Sequence, residues 1–259
     1  MDREELLALY DRDVRRGSVI PGMRREEVPP VVRQLMEAEA EARSFISYSE
    51  LDAANADAII AREIAYFAPL GHPLEWAVCA HDQPPDLSQR LVAAGFVCEE
   101  DEEAIMVLDL ARAPESLWTP PGADVRRLSD PDRLEEVRQL LEAVWDEPFD
   151  WFIPRMRRLL ASSYTAIFVA YVQDEPASVA WLLCPEGGQF AGLYGGSTLP
   201  AFRGQGLYTS LLAVRAQEAR RRGYRYLTID AGDMSRPIVE KRGFELLTTA
   251  TPYLLKPGT

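Results

Sequence analysis

Gly204-Gln205-Gly206 stands between a β-rich run that ends near Thr198 and the clearest helix of the chain, Leu207–Arg222. A strand that turns through two glycines into a long helix, followed by a second β-rich run at Tyr224–Ile229, reads as a strand–helix–strand crossover. In that helix Leu207, Leu211 and Val214 share one side, Leu212 and Ala219 widen it, and Arg220–Arg222 fall in the last turn, where the helix dipole favours cations. At the opposite end the first amide groups have no intrahelical partner, and glycines let the backbone come close to an anion. The expected ligand is a phosphate or pyrophosphate. The segment is not a Walker loop, because no Gly-Lys-Ser/Thr follows, and it is not a dinucleotide fingerprint, because Thr209 fills the third glycine position. Taken alone, Gly-x-Gly also suits a plain turn before a helix.

The flanking segments set the fold class. Val125–Leu128 reads as a strand, Pro131–Trp145 and Trp151–Ser162 as amphipathic helices, and Thr165–Val172 with Ala177–Cys184 as a hairpin joined by Gln-Asp-Glu-Pro. Phe190–Thr198 is a third strand with Gly195-Gly196 near its end. Ser235–Lys241 is a short helix and Glu245–Leu255 a closing β segment. This order predicts an α+β fold, with a mixed, largely antiparallel sheet flanked by helices.

The first half repeats part of that plan. Helix 58–65, strand 75–80, helix 87–94 and strand 104–110 precede a stretch, Leu110–Asp124, whose three prolines and glycine prevent regular structure. A constant shift of 148 residues places Gly95-Phe96 on Gly243-Phe244, residues 105–107 on 253–255 and helix 58–65 on 206–213. The domains expected are therefore 1–115, a linker at 116–124, and 125–259. An unrelated cap domain is the alternative for the first part.

Charge divides the same way. Residues 1–115 carry 24 acidic against 11 basic residues and residues 116–259 carry 17 of each, so the net -13 belongs to the first half. That distribution argues against nucleic acid as a partner. No apolar run reaches membrane-spanning length, and the charged start Met1–Glu5 lacks a signal-peptide layout. Cys79, Cys98 and Cys184 are scattered without metal-ligand spacing, as buried thiols of a reducing, cytoplasmic compartment would be. No metal site is expected.

The longer pattern Thr198-Leu-Pro-Ala-Phe-Arg-Gly-Gln-Gly-Leu207 resembles the acetyl-coenzyme-A-binding segment of the GNAT superfamily of N-acetyltransferases, Arg/Gln-x-x-Gly-x-Gly/Ala after a strand and a proline. Tyr208 departs from the pattern at its last position, and its ring must turn away from the phosphates. Glu240-Lys241-Arg242-Gly243-Phe244 is similar to a second family motif. The resemblance implies tandem GNAT-like domains, the first degenerate, since Asn55 and Ala58 fall opposite Arg203 and Gly206. It implies that amides of Gly204, Gln205, Gly206, Leu207 and Tyr208 hold the pyrophosphate beside Arg203. Thr198 and Leu199 would pair with the pantetheine arm, and neighbouring strands would splay to admit it. The cosubstrate is then acetyl-CoA and the reaction acetyl transfer to a primary amine, on a small molecule by preference, in a ternary complex.

The family's usual acid, a tyrosine four residues before the Gly-Phe glycine, is Val239 here. Candidates for proton transfer are Asp230 at a strand end, Ser235 at the start of the Val239 helix, and Tyr194 on the strand beside the cofactor. Their structural alternatives are a turn anchor, a helix cap and a packed ring. Tyr253 alternates between acceptor and core directions, and His72 and His81 lie in the first half. Trp145-Asp146-Glu147-Pro148-Phe149-Asp150-Trp151-Phe152 interleaves rings with carboxylates, which suits a cationic amine or, equally, helix packing with solvated acids. The missing tyrosine keeps a second reading open, a non-catalytic acyl-CoA sensor or interaction protein.

Overall fold

The computed structural model describes residues 1–36, 43–98, 102–119 and 122–257. Its elements run α1 (Arg3–Tyr10), prolonged by a π-helical segment Asp11–Arg16, then β1 (Met23–Val28), β2 (Val31–Met36), β3 (Ser44–Ser49), α2 (Ala56–Phe67), β4 (Leu74–Cys79), α3 (Leu87–Ala93), β5 (Val97–Cys98) and β6 (Glu103–Asp109). There follow β7 (Asp124–Leu128), α4 (Leu134–Trp145), α5 (Phe152–Ala161), β8 (Thr165–Val172), β9 (Glu175–Leu183), β10 (Phe190–Thr198), α6 (Leu207–Arg221), β11 (Tyr226–Ala231), α7 (Arg236–Glu240) and β12 (Glu245–Leu255). Pro120 and Pro121 of the expected linker lie outside the described residues.

Two compact units make up the chain, one of Met1–Ile105 with Leu246–Thr259 and one of Met106–Glu245. A single crossing within 116–124 was expected. The chain instead passes to the second unit inside β6 and returns to the first at the start of β12.

In the first unit the strands lie in the order β1-β2-β3-β4-β12, with β5 also paired to β12. Among the described residues of this unit only β3 and β4 run parallel, across the crossover through α2. The core gathers Ile60 and Phe67 of α2, Leu87 and Leu91 of α3, and Trp76, Phe96 and Tyr253. Tyr253 thus faces this core, opposite Trp76 on β4.

In the second unit the order is β6-β11-β10-β9-β8-β7, and β10 with β11 is the parallel pair spanned by α6. Shifting α2 and α3 by 148 gives 204–215 and 235–241, on α6 and α7, so the repeat extends to the parallel crossover of each unit. The β8–β9 hairpin closes on Gln173 and Asp174, both left-handed (φ 54° and 65°), the two-residue turn whose twist suits paired strands. Residues of β8 alternate in direction. Phe168 and Ala170 pack with Leu207 and Leu211 of α6, whereas Tyr171 reaches Glu136 of α4. Burial on both faces explains why Thr165–Tyr171 is buried throughout. Each CH₂ so buried contributes about 0.8 kcal/mol, which the two layers of helices share.

Candidate active site

The glycine turn gives α6 a bare N-terminus. Gly204 and Gly206 take left-handed φ values of 75° and 79°, and no side chain caps the helix. The backbone N–H groups of residues 204–209 make no hydrogen bond among the described residues. Nothing lies within 4 Å of where a Cβ would stand on either glycine, so the amides open outward. The first turn holds no acidic side chain to offset the dipole. The donor set therefore fits a pyrophosphate.

The remaining cradle residues have distinct places. Arg203 Nε donates to the Thr198 carbonyl (3.2 Å), tying the loop to the end of β10 and leaving an exposed guanidinium by the amides. Leu199 cannot offer its N–H to a ligand, because that group donates to the Ala177 carbonyl at 3.0 Å. Its carbonyl accepts the Phe202 N–H. Of the two residues expected to face the pantetheine arm, Leu199 therefore has both backbone groups engaged within the protein. Tyr208 turns its ring under the sheet, where a Cβ on Gly196 would come within 2.9 Å of it.

The first unit treats its equivalent helix end differently. The Asp52 carboxylate accepts the N–H groups of Ala54 and Asn55, both at 2.8 Å, and the Asn55 side chain accepts the N–H of Asp52. On the 148-residue shift Ala54 and Asn55 fall opposite Phe202 and Arg203, just ahead of the amides that the second unit leaves open.

The two parallel strands part after a short ladder. β10 and β11 pair only at Phe190–Gly192 with Tyr226–Thr228. Two residues further on, the Tyr194 hydroxyl donates toward Asp230 Oδ2 at 3.5 Å. Burial pushes the Asp230 carboxyl up to about 6, and the hydrogen bond from Tyr194 draws it back in part. A carboxylate in that range is a base matched to neutral pH. Among the described residues no hydrogen bond joins Ser235 to this pair; its Oγ donates to the Gly232 carbonyl (3.2 Å). Val239 is fully buried in α7.

An aromatic wall borders the same stretch of β10. The Trp145 indole N–H donates to Ser197 Oγ at 3.0 Å although its ring is half-exposed. Phe149, Trp151, Phe152 and Trp181 follow one another at centroid separations of 5.6, 6.0 and 5.7 Å. Asp146, Glu147 and Asp150 stay exposed beside them. His72 contacts Ser44, and His81 joins Asp11 and Thr248, all within the first unit.

Sequence reasoning did not single out Trp181, Ser197 or Arg215. The Trp181 ring lies where a Cβ on Gly195 would be, 1.8 Å away, so only glycine fits that strand position. Arg215 is buried on α6 and donates to the carbonyls of Trp181 and Tyr194. Paired glycines inside a strand are the usual mark of a bulge, and that signal was present in Gly195-Gly196.

A family model of the acetyltransferase (GNAT) family matches residues 134–244. No curated protein sequence matches the chain. Among solved structures, a GCN5-related N-acetyltransferase from Kribbella flavida is similar at a TM-score of 0.71 and 16% identity, over 98% of this chain and 95% of that one. A functionally unknown conserved protein from Staphylococcus epidermidis ATCC 12228 gives 0.67 and 13%, over 97% and 99%. A tandem GNAT protein from the clavulanic acid biosynthesis pathway gives 0.67 and 12%, over 93% and 86%. At these identities the likeness is one of fold, and it extends through both halves. The family likeness thus falls on residues 134–244, which hold the glycine turn, and the likeness of the two halves to a tandem protein is one of fold.

Proposed function

We propose that the second unit transfers acetyl from acetyl-CoA to the primary amine of a small cationic molecule. The carrying observation is the parted β10–β11 edge. It has six open amides beyond one end and the Asp230–Tyr194 pair along its length. Amides 204–209 and Arg203 hold the pyrophosphate, and Thr198 lies along the arm. The bound cosubstrate supplies the activated acyl group. Asp230 takes a proton from the ammonium, so that the nitrogen can form its bond to the acyl carbon as the carbon–sulfur bond breaks. Tyr194 returns a proton to the departing sulfur in this reading. Trp145, Trp151 and the acids Asp146, Glu147 and Asp150 favour a cation at the mouth, through ring faces and long-range attraction. The acid excess of the chain speaks against nucleic acid as acceptor.

Calorimetry with coenzyme A, followed by thiol release from acetyl-CoA across a panel of primary amines, tests this reading. No heat at millimolar coenzyme A would remove the cofactor site. The buried Val239 favours one competing reading, an acyl-CoA sensor without turnover. Tight cofactor binding with every amine inert would select it.

A further inference from the structure

Arg215 lies on the face of α6 turned to the sheet and is 1% exposed. Nε donates to the Leu211 carbonyl one turn back (3.0 Å), and Nη1 reaches the carbonyls of Trp181 (3.3 Å) and Tyr194 (3.4 Å). Among the described residues no carboxylate pairs with it, and Nη2 has no partner. Burial without an anion draws the guanidinium down to about 10. A leucine or methionine would fill this volume without the desolvation penalty, so packing does not account for the charge.

The two carbonyls it holds are not arbitrary. Tyr194↔Trp181 is the last matched pair of β10 and β9 before the register slips by one residue to Ser197↔Val179. Gly195 follows, with a left-handed φ of 62°. Nη1 draws the Tyr194 carbonyl toward the β9 side, beside that of Trp181. A trans peptide sets its C=O and N–H antiparallel, so the Gly195 N–H points the other way, into the opening beside β11 where Asp230 stands.

We infer that Arg215 is a positioning residue: by anchoring the Tyr194 carbonyl, it aims the Gly195 N–H at the carbonyl oxygen of a bound acyl thioester. This rests on the acyl-CoA reading above. A fixed donor aimed where negative charge develops is the arrangement that stabilises acyl transfer, and a strand bulge left to itself would not stay fixed. Arginine suits the task because its planar fork spans two strand carbonyls and its own helix, which a lysine ammonium cannot do with the same geometry.

Tyr194-Gly195 is the one Tyr-Gly dipeptide in the sequence, so protein carrying 13C-carbonyl tyrosine and 15N-glycine gives one coupled amide signal, that of Gly195. Its proton is compared with acetyl-CoA bound and with S-ethyl-CoA bound, a thioether that lacks the carbonyl. In wild-type protein the signal moves downfield with acetyl-CoA alone, and acetyl-CoA binds roughly 2- to 10-fold tighter than the thioether. In Arg215→Lys both differences vanish while coenzyme A affinity is unchanged; Arg215→Gln takes its place if the lysine variant does not fold. An identical Gly195 signal with both ligands in wild type, or a difference that survives in the variant, overturns the inference. Failure of the cofactor reading itself looks different: no glycine signal moves and coenzyme A gives no heat.

Discussion

The Tyr194 hydroxyl stands 3.5 Å from Asp230 Oδ2, two residues past the point where β10 and β11 stop pairing. A phenol at that distance stabilises the carboxylate, and burial opposes it more strongly, which leaves Asp230 near 6. As a base it works ionised, so kcat/KM for amine acetylation falls about tenfold per pH unit below 6 and levels above it. Asp230→Asn lowers kcat/KM roughly 100-fold or more and removes that acid limb. A pH–rate profile in which the limb persists assigns the base elsewhere.

The same shift has a stability consequence of opposite sense. A carboxyl raised in the folded state binds its proton more tightly there than in the unfolded chain. The native state is therefore relatively favoured at pH 4, and loses that advantage as pH rises through 6. Asp230→Asn should be about 1–2 kcal/mol more stable than wild type at pH 7.5, with the gain gone at pH 4, as read from urea unfolding at the two pH values.

At the cradle the relevant quantity is a left-handed φ of 79° at Gly206 with no protein atom near its Cβ position. Gly206→Glu places a carboxylate among open amides and should abolish coenzyme A binding by calorimetry. Gly206→Ala carries only the backbone cost, about 1 kcal/mol, and should weaken binding or folding modestly. Equal coenzyme A affinity in the glutamate variant would mean that the phosphates lie somewhere else.

Much of this site was legible because it is local. The strand, glycine turn and helix from 190 to 221 are contiguous, and the amphipathic stripe of α6 carried its own direction. What escaped was polarity in buried places. β1 alternates poorly because Arg24, Arg25, Glu26 and Glu27 form ion pairs along it. β2 buries Arg33, which pairs with Glu63 of α2 and lies over the Tyr66 ring. Hydropathy reads such residues as solvent-facing, so the strands of 23–49 show no periodic signal. Arg215 was hidden for the same reason, four residues after Leu211 on the apolar side. That β12 joins the first unit is a long-range pairing, which no local pattern encodes.

Trp145 links the aromatic wall to the bulge through one hydrogen bond, indole N–H to Ser197 Oγ. Trp145→Phe keeps most of the apolar surface and removes that donor. The expected result is a KM for the amine raised roughly 3- to 10-fold, the value of one hydrogen bond, with coenzyme A affinity unchanged. A loss of coenzyme A binding instead would place Trp145 in the framework of the cofactor cleft, not at the acceptor.

Glu218 near the end of α6 is held down to about 2, first by hydrogen bonds from Arg221, against burial, and then by Arg222 and Arg127. Its side chain is 9% exposed, while Arg221 is 65% exposed, so water screens part of the attraction. A depressed carboxyl contributes stability above its unfolded value near 4.5, and that contribution is lost as pH falls toward 2. Glu218→Gln should therefore cost about 2 kcal/mol at pH 7 and almost nothing near pH 2.5, measured as urea midpoints at both. Salt should shrink the neutral-pH difference, because the exposed arginines are the screened partners. A deficit that stays constant across this pH range would mean the loss comes from packing at the helix end and not from charge.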